Sequence, residues 1–279
     1  MATTSPSALS VAEQNALIES SKRSAAYQAV KEHMDFSYRL IGIGSGSTVV
    51  FVVEALKALG KDVTDKMSFF STGDQSRELI KAAGFRLEYI QDLDGDQQLD
   101  VCFDGADEVD EELNLIKGGG ACLFQEKLVA IKSKKFVCVA DFRKMSARLG
   151  TNWKKGIPIE TVTIATASVL TELRRLGSIN PTARSSLPGK AGSIVTDNGN
   201  SLIDAPFPPL ALAKDLKGED GKDGVWTVEG LWDRLTKIVG VVEVGLFVGN
   251  NGYEVEWGAQ KPVAAYFGMA DGSVEVRKA

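Results

Sequence analysis

The chain has 279 residues, of which 44% are hydrophobic and 25% are charged, and its formal net charge is −5. This length and composition predict one large or two ordinary globular domains, and they exclude a disordered chain, a collagen-like repeat and a small disulfide scaffold. The negative net charge argues against binding of nucleic acid, because phosphate polymers are attracted by surfaces rich in Lys and Arg.

Three cysteines, Cys102, Cys122 and Cys138, lack a metal-type spacing and are predicted to be reduced, buried and unreactive. The single histidine, His33, excludes sites that need several imidazoles and is expected on a helix surface. No apolar stretch reaches the ~20 residues of a membrane span, and the N-terminal sequence MATTSPSALSVAEQ lacks a basic flank followed by an apolar stretch. We therefore expect a cytoplasmic protein without membrane contacts.

The first part of the chain alternates strands and helices. The pattern predicts helices at 11–32, 49–59 and 121–131 and a further helix that ends at Gly84. It predicts strands at 39–43, 67–70, 86–90, 99–103 and 135–140. Because each strand is a continuous apolar run, we expect an α/β fold whose mostly parallel sheet is covered on both faces. The polar loops after the strands should then meet at one sheet edge, where ligands bind.

The pattern changes near residue 157. It predicts a strand at 159–164, a helix at 165–176, a hairpin centred on Asn198-Gly199, a helix at 228–239 and a strand at 240–248, in the order of a compact βαββαβ unit. Residues 206–224, rich in Pro, Gly, Lys and Asp, are predicted to be a surface insertion without a chemical role. With a final strand pair at 263–276, the larger domain is placed at residues 1–150 and 249–279, and the smaller one at 151–248.

The segment Gly44-Ser45-Gly46-Ser47-Thr48 joins the first strand to a helix. Its small residues let backbone N–H groups approach an anion at the positive end of that helix. The dinucleotide fingerprint G-x-G-x-x-G and the P-loop both fail to match, which favours a small phosphate, such as that of a sugar phosphate, over a tight turn without a ligand. The segment 71–76 is similar in composition and gives a weaker signal.

Two carboxylates, Asp104 and Asp107, follow the strand at 99–103. They could hold Mg²⁺ for phosphoryl transfer, or they could exchange the hydroxyl protons of a polyol. A solvated acidic turn is the third interpretation, and for the run 107–112 as a whole we prefer it.

A cation and three glycines follow in Lys117-Gly118-Gly119-Gly120, and Glu126 lies on the next helix. The glycines permit close backbone approach to a ligand while the lysine faces an oxyanion. Phe124 and Leu128, which flank Glu126, could keep water from its carboxylate and raise its pKa towards that of a useful base.

Five strings, IGIGSGST, DGADEVD, LIKGGGACLFQEK, VCVADFRK and TDNGNSLID, occur in an order and spacing that resemble the ribose-5-phosphate isomerases of type A. The resemblance spans nearly the whole chain. It implies a Rossmann-like α/β domain with a smaller ferredoxin-like α+β domain. It also implies interconversion of ribose 5-phosphate and ribulose 5-phosphate through an enediolate in the non-oxidative pentose phosphate pathway, with no metal, nucleotide or other cofactor, in a homodimer or homotetramer.

The resemblance also implies roles for individual residues. Glu126 corresponds to the proton-shuttling glutamate, and Asp104, Asp107 and Lys117 to the other catalytic groups. Substrate and phosphate contacts correspond to Ser45, Gly46, Ser47, Thr48, Gly118, Gly119, Gly120, Lys144 and Lys22. Asp74 departs from the family pattern, and a carboxylate there is unexpected if its loop contacts a phosphate.

Two other functions remain open at this point. A sugar-phosphate sensor domain of a transcription regulator can share this architecture, but the few residues before the first predicted helix leave no room for a DNA-reading module. An amino-sugar phosphate isomerase/deaminase is the nearer alternative, and it would release ammonia.

Overall fold

The computed structural model describes residues 10–185 and 192–279. Residues 1–9 and 186–191 lie outside the described residues, and so do the first nine residues of the string MATTSPSALSVAEQ. None of the described helices is long and apolar enough to cross a membrane.

Seven strands of the described chain form the largest sheet. They are β1 (Leu40–Ile43), β2 (Ser68–Ser71), β3 (Arg86–Glu88), β4 (Val101–Asp104), β7 (Phe136–Asp141), β13 (Ala264–Gly268) and β14 (Val274–Lys278). Their spatial order is β14-β13-β7-β4-β1-β2-β3, and every neighbouring pair is parallel except β13 with β14. The predicted mostly parallel sheet is confirmed.

Five helices accompany this sheet: α1 (Val11–His33), α2 (Val49–Lys57), α3 (Lys61–Thr64), α4 (Asp74–Ala83) and α5 (Leu123–Ile131). α1 begins at a capping box, in which Ser10 Oγ accepts from Glu13 N and a Glu13 carboxylate oxygen accepts from Ser10 N. α4 ends at Gly84, which adopts a φ of 77° that glycine tolerates without steric cost.

The inner strands β4, β7 and β13 of the largest sheet are buried on both faces, whereas the edge strands β3 and β14 are partly exposed. In β4, Val101 and Phe103 pack into a core with α1 and α2, whereas Cys102 between them packs into a second core with α5. This alternation follows from the two-residue period of a strand. It explains why the strand sequence is apolar throughout, as predicted.

A four-stranded sheet contains β8 (Ile157–Thr161), β9 (Thr182–Ala183), β10 (Ser201–Ala205) and β11 (Val241–Val244), with helices α6 (Thr166–Arg175) and α7 (Val228–Thr236). Its order is β11-β8-β10-β9 with antiparallel neighbours, which matches the predicted βαββαβ unit. A separate hydrophobic core lies between this sheet and its helices. The exact domain boundaries stay a prediction.

A small third sheet was not predicted. It joins β5 (Glu108–Val109), β6 (Leu115–Ile116) and β12 (Leu246–Phe247), so it ties the segment after β4 to the segment after β11. Lys117 N donates to Gly245 O at 2.9 Å just beyond this sheet. Strands of two residues carry too short an alternation to be recognised in a sequence.

Three predicted features are wrong in part. The strand at 86–90 ends at Glu88 and is followed by a 3₁₀ turn, and the strand at 159–164 ends at Thr161, beyond which Ile164 is 93% exposed. The insertion at 206–224 is only partly a surface segment, because Phe207 and Leu210 are buried in the core of the four-stranded sheet. Its polar composition concealed these apolar anchors.

The preferred interpretation of 107–112 as a solvated acidic turn is also wrong, because Glu108 and Asp110 are fully buried. The two carboxylate oxygens of Glu108 accept from the backbone N–H groups of Gly150 and Asn152, each at 2.6 Å. Buried carboxylates are stable when hydrogen bonds satisfy them in this way. These partners lie 42 and 44 residues further along the chain, so the local sequence around Glu108 does not indicate them.

Candidate active site

A cavity of about 400 Å³ lies at the carboxyl ends of the central strands of the seven-stranded sheet. The loops after β1, β2, β4 and β7 contribute to it, together with the glycine-rich loop 117–120 and the first turn of α5. Its wall is formed by Ser45, Gly46, Ser47, Thr48, Asp74, Gln75, Gly105, Ala106, Asp107, Lys117, Gly118, Gly119, Gly120, Cys122, Glu126, Asp141, Arg143, Lys144 and Asp197.

The loop 44–48 is held in place by bonds that leave the end of α2 open. Ser45 N donates to Asp104 Oδ1 at 3.0 Å and Gly46 N to Gln75 Oε1 at 2.8 Å. Within the described chain, the side chain of Thr48, the N-cap residue, makes no capping hydrogen bond to α2. Phe51 N donates to Thr48 O at 3.1 Å, and the amide groups before it at the start of α2 remain available to an anion in the cavity.

Asp104, the last residue of β4, is buried and lies beneath the cavity rather than in its wall. Its Oδ1 accepts from Ser45 N and from Gly105 N, and its Oδ2 lies 2.8 Å from Lys117 Nζ. A Cβ at Gly44 would overlap this carboxylate, so glycine is required there for steric reasons. Asp104 thus connects the loop 44–48 to Lys117.

Lys117 connects the two halves of the site. Its Nζ donates to Gly105 O at 2.6 Å, lies 3.4 Å from Glu126 Oε2 and sits 5.5 Å from the centre of the Phe247 ring. Burial alone would lower the pKa of Lys117, but the carboxylates of Asp104 and Glu126 outweigh burial and raise it above its ordinary value. The side chain is therefore a fixed ammonium group.

Glu126 lies in the first turn of α5 and is only 5% exposed. Burial is the main cause that raises the pKa of Glu126; the Lys117 ammonium opposes it, and the carboxylates of Asp104 and Asp107 add to it. The buried Glu126 Oε2 faces the Lys117 ammonium at 3.4 Å. A carboxylate of raised pKa at a cavity wall has the properties of a general base.

Phe124 and Leu128 were expected to shield Glu126 from water, and this expectation is wrong. Both are half-buried and line a neighbouring groove on the other side of α5. Residues next to each other on a helix point in different directions, so the flanks of Glu126 in sequence are not its neighbours in space. Its surroundings are provided by Lys117, Asp104 and Asp107 instead.

Asp107 holds the glycine-rich loop. Its Oδ2 accepts from Gly119 N at 2.6 Å, and a Cβ on Gly119 would approach Asp107 Oδ1 to 2.5 Å. Burial is the main cause that raises the pKa of Asp107, against the hydrogen bond from Gly119 and the charge of Lys117. Asp107, unlike Asp104, faces the cavity.

Cations lie on the side of the cavity that follows β7. Arg143 donates to both carboxylate oxygens of Asp141, at 2.7 and 2.9 Å. Lys144 Nζ is placed over the Trp153 ring, 5.3 Å from its centre. Lys144 was predicted to contact substrate, whereas Arg143 and Asp141 were not, although all three lie in the string ADFRK.

A turn from the four-stranded sheet closes another side of the cavity. Thr196 Oγ1, Asn198 Nδ2 and Asn200 Nδ2 all donate to Glu160 Oε1, at 2.8, 3.0 and 2.9 Å. The turn so formed places Asp197 Oδ2 3.2 Å from Asp74 N, at the beginning of α4. The predicted Asn-Gly hairpin is confirmed, but its contribution to the site could not be read from the hairpin signal.

Asp74 reaches the cavity wall, and it is paired with Arg77 at 2.9 Å. It lies after β2, at the opposite end of the cavity from Arg143 and Lys144 in the strand order β7-β4-β1-β2. Its neighbour Gln75 accepts from Gly46 N at 2.8 Å, so Asp74 lies beside the loop 44–48, where the guanidinium of Arg77 offsets its charge.

Lys22 is, besides Asp104, the second predicted site residue that lies outside the wall of the described cavity. It is buried in α1, and its Nζ donates to Glu19 Oε1 at 2.6 Å, one helical turn away. Within the described chain it does not form part of the cavity wall. The string SKR that suggested it indicates a helix but not the direction of the side chain.

The cysteine prediction is correct for Cys102 and Cys138, which are buried and free. For Cys122 only the predicted burial is wrong: this free cysteine is half-buried and forms part of the cavity wall. Burial raises the pKa of Cys122 to about 12, so it is a thiol and not a nucleophilic thiolate. Among the described residues, no group of three or more His, Cys, Asp or Glu side chains could hold a metal ion.

The sequence model of ribose 5-phosphate isomerase A (phosphoriboisomerase A) matches residues 68–260. A ribose-5-phosphate isomerase of Schizosaccharomyces pombe is 48% identical over 262 residues, covering 94% of this chain and 84% of that protein. One of Eremothecium gossypii is 46% identical over 265 residues, covering 92% of each chain.

Solved structures agree with these sequence relatives. The ribose 5-phosphate isomerase A of Methanocaldococcus jannaschii has a TM-score of 0.74 at 28% identity and covers 94% of this chain and 99% of that one. A D-ribose-5-phosphate isomerase in complex with phospho-erythronic acid has a TM-score of 0.76 at 28% identity with the same coverage. The chain therefore belongs to the ribose 5-phosphate isomerase A family.

Proposed function

We propose that this protein interconverts D-ribose 5-phosphate and D-ribulose 5-phosphate through an enediolate intermediate. The observation that carries the proposal is the buried Glu126 carboxylate, 3.4 Å from the Lys117 ammonium, at the wall of a cavity with an open helix N-terminus. The reaction needs a base for a carbon-bound proton, a cation for the developing oxyanion and a grip on the phosphate. These three requirements are met within one cavity.

Glu126 is the proton carrier in this proposal. It removes the proton from C2 of the open-chain aldose, and the C1 carbonyl oxygen becomes the enediolate oxygen. Glu126 then returns this proton to C1, while the O2 hydroxyl proton is transferred through Asp107 to O1, which leaves a ketone at C2 and a hydroxyl at C1. General acid–base catalysis of this kind contributes about 10² to 10⁴ in rate. The raised pKa of Glu126 suits a group that must both accept and return a proton near neutral pH.

The Lys117 ammonium and the amides of Gly118 and Gly120 stabilise the enediolate oxygen, whereas the amides of Lys117 and Gly119 already donate to Gly245 O and Asp107 Oδ2. The ammonium is already fixed by Asp104 and by Gly105 O, so it does not need to reorganise when charge develops. A well-placed donor of this kind contributes about 3 to 4 kcal/mol to the transition state.

The two aspartates take different parts. Asp107 faces the cavity and exchanges the hydroxyl protons that ring opening and ketone formation require. Asp104, whose oxygens face Ser45 N, Gly105 N and Lys117 Nζ, positions the lysine instead of contacting the sugar. The alternative in which both aspartates hold Mg²⁺ is not favoured, because Asp104 is turned towards an ammonium group.

The phosphate is bound by Ser45, Gly46, Ser47 and Thr48 at the start of α2, and by Lys144 on the cationic side. Binding energy from this remote group holds C1 and C2 next to Glu126.

We also propose that the enzyme acts in the cytoplasm as a homodimer or homotetramer. An apolar patch in the segments that follow β8 and precede β11 supports the assembly: Val162, Ile164 and Val239 are 45%, 93% and 91% exposed, and Val162 N donates to Gly240 O next to Val239. Light scattering of the purified protein tests the oligomeric state, and a monomer at micromolar concentration would contradict the proposed assembly.

The function is tested by incubating the purified protein with ribose 5-phosphate in EDTA, without nucleotide, and following the ketose. We expect ribulose 5-phosphate at a rate unaffected by the chelator. Metal-reversible loss of activity in EDTA would favour the Mg²⁺ interpretation, and release of ammonia from a hexosamine phosphate would favour the deaminase. Binding of ribose 5-phosphate without turnover would favour the sensor.

A further inference from the structure

The glycine-rich loop that carries Lys117 is contacted by an arginine from the four-stranded sheet. Arg184 Nη1 donates to Gly118 O at 3.2 Å and to Gly119 O at 3.0 Å. These residues are 66 and 65 positions apart in sequence, and Arg184 does not form part of the cavity wall among the described residues. Arg184 therefore contacts the loop from the side that faces away from the cavity.

The guanidinium group of Arg184 is itself held rigidly. Its Nε and Nη2 donate to the two carboxylate oxygens of Asp204 on β10, at 2.8 and 2.6 Å. The side chains of Arg184 and Asp204 are 13% and 16% exposed, and Arg184 N donates to Leu202 O at 2.7 Å. One edge of the planar fork is fixed by Asp204, so the remaining nitrogen is directed at the loop carbonyls.

The two carbonyls that Arg184 binds belong to the peptide units that present the N–H groups of Gly119 and Gly120. In a trans peptide the N–H points away from the C=O, and the described residues contain no cis peptide bond. A donor on the carbonyl side therefore fixes the direction of each N–H on the opposite side. A positive charge at the oxygen also polarises the peptide unit and strengthens its N–H as a donor.

A hydrogen bond from the other side supports this orientation. Gly119 N donates to Asp107 Oδ2 at 2.6 Å, so the Gly118–Gly119 peptide unit lies between Arg184 and Asp107. The charge of Arg184 also opposes the burial that raises the pKa of Asp107. The Gly119–Gly120 unit, whose carbonyl Arg184 also binds, leads directly into the cavity wall at Gly120.

We infer that Arg184 is a positioning residue for the isomerase reaction: with Asp204 it orients the peptide units that follow Gly118 and Gly119 so that the Gly120 amide and the Lys117 ammonium are fixed around the enediolate oxygen. The inference rests on the proposed function. It assigns to the four-stranded sheet a part in transition-state stabilisation, without contact between Arg184 and substrate.

The test compares Arg184→Met, Arg184→Lys and Asp204→Asn with the wild type. Arg148→Met is the matched control, because Arg148 pairs with Asp215 at 2.8 Å and neither residue forms part of the cavity wall. The measurements are kcat and KM for ribose 5-phosphate, the inhibition constant of phospho-erythronic acid and the melting temperature. Phospho-erythronic acid is used because its carboxylate carries a negative charge at the end of the molecule where the enediolate oxygen forms.

We expect Arg184→Met to lower kcat at least ~10-fold while KM changes less than about threefold, because an interaction made only in the transition state is lost. The inhibition constant of phospho-erythronic acid should rise in parallel with the loss of kcat. Arg184→Lys should behave similarly, because an ammonium cannot engage Asp204 by two bonds and also reach both carbonyls. Asp204→Asn should give a smaller loss, and Arg148→Met should match the wild type.

The inference is overturned if kcat of Arg184→Met stays within about twofold of the wild type, or if Arg148→Met loses as much. If Arg184→Met does not fold, Arg184→Lys and Asp204→Asn decide by the same criteria. A wild-type protein that does not convert ribose 5-phosphate would overturn the proposed function itself. An active wild type with unaffected Arg184 variants overturns only the present inference.

Discussion

The Lys117 ammonium lies 3.4 Å from a carboxylate oxygen of Glu126, and both side chains are almost fully buried. The carboxylates of Asp104 and Glu126 raise the pKa of Lys117 and keep it charged. The Lys117 charge in turn limits how far burial raises the pKa of Glu126. Lys117 therefore stays a cation, whereas Glu126 has a pKa raised above its ordinary value.

Replacing Glu126 by Gln should lower kcat at least about a hundredfold and leave the affinity for phospho-erythronic acid within about threefold, because the amide keeps the shape but cannot carry the proton. Steady-state kinetics and calorimetric titration measure the two quantities. Glu78→Gln is the control, since Glu78 is a 66% exposed carboxylate on the surface of α4. A fully active Glu126→Gln enzyme would remove this residue from the mechanism.

The acid limb of the pH profile should report Glu126. Below its pKa the carboxylate is protonated and cannot accept the C2 proton, so kcat/KM should fall with decreasing pH, with a midpoint above the ordinary value of 4.5. Asp104→Asn removes a negative charge that contributes to raising this pKa, so the limb should move to lower pH. A limb that stays in place, or moves to higher pH, would show that another group controls it.

Lys144 and Lys155 offer a matched comparison of the phosphate contact. Their ammonium groups lie 5.3 and 5.2 Å from the centre of the same Trp153 ring, but of the two only Lys144 belongs to the described cavity wall. Lys144→Ala should raise KM for ribose 5-phosphate about tenfold or more, because a charge-assisted bond to the phosphate is lost. Lys155→Ala should leave KM unchanged. Equal effects would place the phosphate elsewhere.

Glu108 makes a prediction about stability. Glu108→Ala leaves the buried N–H groups of Gly150 and Asn152 without their acceptor, so we expect a loss of about 2 to 4 kcal/mol in the free energy of unfolding. Denaturant unfolding followed by circular dichroism measures it. Glu111→Ala, in the same acidic run but exposed, should change stability by less than about 0.5 kcal/mol. Similar losses in both variants would contradict the structural role of Glu108.

The parts of the fold that the sequence predicts best are those with a short-range signal. The apolar runs around Val101 and Val137 predict buried parallel strands, and Asn198-Gly199 predicts a turn. Since loops after parallel strands share one edge, the meeting of Ser45, Asp107 and Lys144 in one cavity follows from the strand pattern.

The other parts of the fold and the site depend on contacts between residues that are distant in sequence, and a local sequence pattern does not indicate such contacts. The burial of Glu108 requires amides from residues 150 and 152, and the support of Gly118 requires Arg184 from another sheet. The direction of a side chain is equally hidden. Asp104 and Asp107 look equivalent in DGADE, yet only Asp107 faces the cavity, because Asp104 is turned towards Ser45 N, Gly105 N and Lys117.

The turn at 196–200, pinned by Glu160, brings a wall of the cavity from a sheet with its own hydrophobic core. Sheets with separate cores can gain their secondary structure independently of each other during refolding. The catalytic crevice, however, is complete only when Asp197 has docked at the beginning of α4. We therefore expect enzymatic activity to return last after dilution from denaturant, later than the far-ultraviolet signal of either sheet.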